Sequence, residues 1–104
     1  MTTARQPIGR DRHTTSVGDD KFVAISYDGT NRVMYSSDAI NWTSTNNGVE
    51  ANNWEGVTYG DGKFVAVASS GTNRVMYSTD GINWTATSDG VEQNRWSYVR
   101  YEYS

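Results

Sequence analysis

The sequence predicts an all-β protein made of two copies of one four-stranded unit. Three observations carry that expectation. Residues 18–59 lie on residues 60–101 without a gap, at an offset of 42, with 27 identical positions. Within each copy, short apolar runs alternate with turns rich in Gly, Asp and Asn. No segment carries the 3.6-residue apolar period of an amphipathic helix.

The second copy shows each element in order. Trp54–Tyr59 sets large residues at 54, 57 and 59, a strand-like spacing. Gly60–Lys63 reads as a hairpin turn, because glycine takes positive φ without penalty. Phe64–Ala68 is a continuous apolar run, as expected of a strand covered on both faces. Ser69–Asn73 turns the chain into a third strand, Arg74–Ser78. Thr79–Asn83 turns again into a more polar fourth strand, Trp84–Thr87. Residues 88–95 then lead to Trp96, where a further unit would begin. Four antiparallel strands in about 40–45 residues, repeated, is the pattern of a β-propeller blade, with the most polar strand outermost.

The turn after the third strand reads Ser78-Thr79-Asp80-Gly81-Ile82-Asn83-Trp84, and Ser36-Ser37-Asp38-Ala39-Ile40-Asn41-Trp42 in the first copy. It resembles the Asp box, or BNR repeat, of sialidase-like β-propellers, of the tandem type found in bacterial and phage proteins. The spacing departs by one residue from the usual form, and Ala39 stands where the box has Gly. The resemblance implies a structural turn. Asp38 and Asp80 would cap backbone N–H groups, with Ser36, Ser78 and Gly81 shaping the loop and Trp42 and Trp84 packing between blades. An Asp in a tight turn does accept bonds from donors two residues on. The sequons at Asn41 and Asn83 fall inside this turn, and we read them as coincidence.

Propellers have typically 4–8 blades, so two blades leave open apolar edges. A closed ring of identical chains solves this, and three chains, giving six blades, is the favoured arrangement. The expected division is an N-terminal arm over 1–17, a first blade over 18–59 and a second over 60–101. Residues 12–17 match Trp54–Tyr59 poorly, so residues 96–104 are expected to complete a blade of the neighbouring chain; the alternative is that residues 12–17 supply that strand and the C-terminus packs elsewhere.

Composition narrows the chemistry. There is no Cys, and His13 is the only His. Thiolate sites, disulfides and multi-His metal cages are therefore excluded. Asp19, Asp20 and Asp61 lack the spacing of a calcium loop. No metal or cofactor is expected. A net charge of −3 without a basic stripe argues against nucleic acid, and no apolar run is long enough to span a membrane. The N-terminus lacks the apolar core of a secretory signal, which points to a soluble protein of the cytoplasm or of a virion. Ser, Thr and Asn supply 32 of 104 residues, which would imply disorder were aromatics not at 12%.

The turns at the linker end of each blade carry the better binding repertoire. Asn31, Arg32, Asn52, Asn53 and Trp54, with Asn73, Arg74, Asn94, Arg95 and Trp96, offer amides, guanidinium forks and indole plates. Such groups suit sugar hydroxyls or carboxylates. The alternative for the same residues is turn formation, with the arginines paired to Glu50 or Glu92. Near-identical units do not supply the asymmetric carboxylate pair or tyrosine nucleophile of a glycosidase, so no enzyme is expected. The leading expectation is a non-catalytic, multivalent, glycan-binding module. Its rival is a structural or decorating protein of a larger particle, attached through the basic arm, residues 1–17.

Overall fold

The computed structural model describes residues 14–100 and contains two four-stranded antiparallel sheets, with no helix among them. Residues 1–13 and 101–104 lie outside the described residues, and with them most of the arm and the end of the tail. The first sheet holds β1 (Thr14–Gly18), β2 (Lys21–Ile25), β3 (Val33–Ser36) and β4 (Thr43–Thr45). The second holds β5 (Trp54–Gly60), β6 (Lys63–Ala68), β7 (Val75–Ser78) and β8 (Thr85–Thr87). Both run in simple up-and-down order. The strands of the second copy fall within one residue of their expected bounds.

The start of the first copy departs from expectation. Residues 14–17, assigned to the arm, belong to β1, which pairs with β2 from Thr14↔Ile25 to Gly18↔Lys21. Pairing at a sheet edge needs backbone donors and acceptors, and not the aromatic residues this stretch lacks. The place expected for a neighbouring chain's residues 96–104 is therefore filled from within. The register leaves Asp19 and Asp20 as a two-residue loop, both at positive φ (52° and 57°). Asp61 and Gly62 make the equivalent loop (54° and 75°), the type I′ form that matches strand twist.

One core joins the two sheets. Val23, Ile25 and Val33 from the first pack with Trp54, Val57, Phe64, Ala66, Ala68, Met76 and Trp84 from the second. Trp54 and Phe64 are wholly buried, and side chains of this size each contribute about 1.5–3 kcal/mol on burial. Strand β5 lies beside β1. A register shift between Trp54 and Gly56 bulges β5, and Gly56 there abuts the backbone of Ser97 and Tyr98. Residues 91–100 form no strand. The outermost strands β4 and β8 are mostly polar and at most half-covered, apart from Thr45.

Candidate functional site

Up-and-down order sends successive turns to opposite ends of each sheet. The Asp19–Asp20 hairpin and the turn from Ser36 to Thr43 share one end. The Ser26–Arg32 turn and the linker 46–53 share the other.

At the first end, Asp38 organises its turn. Its Oδ1 accepts the backbone N–H of Ile40 at 2.9 Å and of Asn41 at 2.8 Å, and Oδ2 accepts the Asn41 amide at 3.1 Å. Ser36 Oγ donates to Asp38 Oδ1 at 2.9 Å and itself accepts the Ala39 N–H at 2.8 Å. Asp80 repeats this with Ile82 and Asn83 (both 2.9 Å), and Ser78 repeats Ser36. The backbone donors of Asn41 and Asn83, each the largest cause, hold the two aspartates well below the usual carboxylate range. Each indole closes its turn: Trp42 Nε1 donates to Ala39 O and Trp84 Nε1 to Gly81 O, both at 3.2 Å.

At the second end the expected binding residues are mostly engaged within the chain. Arg32 donates through Nε to Gly29 O (2.8 Å), and through Nη1 to Tyr27 O (3.1 Å) and Asn52 O (2.8 Å). Arg74 does the same with Gly71, Ser69 and Asn94. The arginines thus staple turn to linker through main-chain carbonyls, and not through Glu50 or Glu92. Glu50 instead accepts Asn73 Nδ2 at 2.6 Å and Asn52 Nδ2 at 3.2 Å. The Asn73 amide is the largest cause of its lowered pKa. Asn52, only 6% exposed, also donates to Asn73 O at 2.7 Å. Trp54 lies in the core with its N–H on Glu50 O. Asn53 is half-buried, with its N–H on Ser70 Oγ. Asn31 is exposed, its Oδ1 accepting Asn46 Nδ2. Asn94 and Arg95 are exposed, and Trp96 is half-buried.

A groove lies at the other end. Open and of about 260 Å³, it is lined by Lys21, Tyr35, Ser36, Ser37, Asn41, Thr43 and, from the second sheet, Ile82. It combines an aromatic ring, an ammonium, hydroxyls, an amide and one apolar wall. Sequence reasoning missed all seven as ligand residues and singled out only Ser36, as structural. Their one signal was recurrence: Lys63, Tyr77, Ser78, Thr79, Asn83 and Thr85 stand at the same positions in the second copy. Among the described residues no three of Asp, Glu and His gather as a metal would require. Comparisons with protein-family models, with curated proteins and with solved structures returned no match.

Proposed function

We propose that the chain is a non-catalytic, multivalent recognition module whose sheets act as propeller blades in a ring of identical chains, three chains being favoured. The ligand class we assign is a glycan or similar polyhydroxylated molecule. The groove at Lys21, Tyr35, Asn41 and Thr43 carries this reading. Amides and hydroxyls there match sugar hydroxyls, and the Tyr35 ring offers an apolar plate with a polar edge. Repetition around a ring converts weak single sites into avidity.

Glycan-array binding by the full chain tests this. Binding to a defined sugar class, lost in a Tyr35→Ala/Tyr77→Ala double variant that keeps its melting temperature, is the expected result. Absence of binding to every sugar class contradicts it. A second reading, a structural component of a larger particle, is favoured by one observation. Asn52, Asn73 and Trp54 are engaged where the units meet, and Arg32 and Arg74 each staple a turn to the linker that follows it. The attachment expected of the arm falls largely on residues 1–13, outside the described residues.

A further inference from the structure

Two repeats joined by one seam leave two unmatched half-seams. The internal seam is built from four residues on the first unit's trailing side. Thr45 Oγ1 donates to Ile82 O at 2.9 Å, and Trp84 N–H donates to Asn47 O at 3.0 Å. Glu50 accepts the Asn73 amide, and Asn52 donates to Asn73 O. The same positions recur 42 residues on as Thr87, Asp89, Glu92 and Asn94. Their partners recur 42 residues back as Ile40, Trp42 and Asn31.

Within one chain these two sets are less covered than their counterparts in the internal seam. Ile40 is 78% exposed while Ile82 is half-buried. Asn94 and Glu92 are exposed while Asn52 is buried and Glu50 half-buried. A side chain at Gly48 would strike the Trp84 carbonyl, whereas the same position at Gly90 faces open space.

The trailing half-seam is nonetheless already shaped. Asn52 N–H donates to Glu50 O and Asn94 N–H to Glu92 O, both at 2.8 Å. Both indoles, Trp54 and Trp96, donate to those same carbonyls at 2.9 Å. Arg74 fixes Asn94 O as Arg32 fixes Asn52 O. A surface held in its bound shape before contact loses little entropy on docking.

We infer that a second copy of this chain docks head-to-tail on this edge, setting its Asn31 and its Ile40–Trp42 turn against Thr87–Asn94. This rests on the self-association proposed above and specifies its surface. Glu92 then accepts from Asn31, and Thr87 donates to the Ile40 carbonyl. Ile40 also supplies the wall that Ile82 supplies to the first groove, so the second groove, around Lys63, Tyr77 and Asn83, is complete only with the second copy. Trp96 N–H donates to Ala68 O at 3.2 Å, which holds the start of the tail against the second sheet. Two positions differ from the internal seam. Asp89 lacks the amide with which Asn47 donates to Asn83, and Ala39 carries a methyl where Gly81 has none. The seam between chains is therefore the weaker of the two. Such a heterologous contact closes into a ring or runs on as a filament.

Sedimentation velocity of the full chain tests the seam, with Ile40→Asp spoiling one half and Glu92→Lys the other. Both side chains are exposed, and circular dichroism melts check that each variant folds. The wild type is expected to sediment as an oligomer and each variant alone as a monomer. The two variants mixed should give a one-to-one dimer, because one sound seam remains between them. An oligomer indifferent to both substitutions overturns the seam and leaves self-association standing. A monomeric wild type overturns both. Monomeric variants that stay monomeric on mixing overturn the head-to-tail polarity.

Discussion

At residue scale, the Asp38 turn differs from its second copy at a strained backbone position. Ala39 has φ 66° where Gly81 has φ 76°. That region costs an L-residue about 1–2 kcal/mol, which glycine avoids. Ala39→Gly should therefore stabilise the chain by about 1 kcal/mol, raising the melting temperature by several degrees. Gly81→Ala should do the reverse and more, because its Cβ would stand 2.8 Å from Val23 Cγ2. Thermal melts of the two variants check both signs. The turn aspartates give a pH prediction. Asp38, Asp80 and Glu50 all titrate lower when folded than the free carboxyl does. Their stabilisation is fully present above the unfolded carboxylate range, about pH 4, and is lost as pH falls below it. The melting temperature should fall between about pH 4.5 and 2, and an Asp38→Asn/Asp80→Asn variant should fall less steeply. The capping role of these aspartates was legible because its donors lie two and three residues along the chain. The groove was not legible, since Tyr35, Thr43 and Ile82 meet only after two sheets pack.

At the scale of elements, the strands were readable from apolar runs and turn residues. The first strand was not. Thr14–Gly18 has no aromatic and little apolar character, and its place comes from pairing with β2. The arginines illustrate a different limit. Their fork chemistry was plain in the sequence, but the acceptors are carbonyls of their own turn and of a linker 20 residues away. Charge alone pointed to Glu50 and Glu92. Arg74→Met keeps the aliphatic stem and removes three donated bonds, so it should cost about 1–3 kcal/mol, read from urea unfolding. If Arg74 served only a ligand, stability would not change. Asp20→Gly should stabilise by a few tenths of a kcal/mol up to about 1 kcal/mol, since Gly62 fills that place in the second hairpin.

At the scale of the whole molecule, the repeat dominates. The sheets share one core, yet the half-seams at Ile40 and at Glu92–Asn94 remain open on the two sides. The repeat raised the expectation that further units join these two. It did not reveal which residues meet between units, because Glu50, Asn73 and Trp84 come together only through the geometry of the seam. The groove at Lys21 and Tyr35 draws its apolar wall, Ile82, from the unit that follows, so the proposed recognition and the proposed assembly stand or fall on the same packing of units. A multiple-angle light-scattering mass of the wild-type chain at neutral pH tests this most directly. A discrete oligomer at a whole multiple of the 11.6 kDa chain, three being favoured, is the predicted result. A single monomeric species across the accessible concentration range would contradict it.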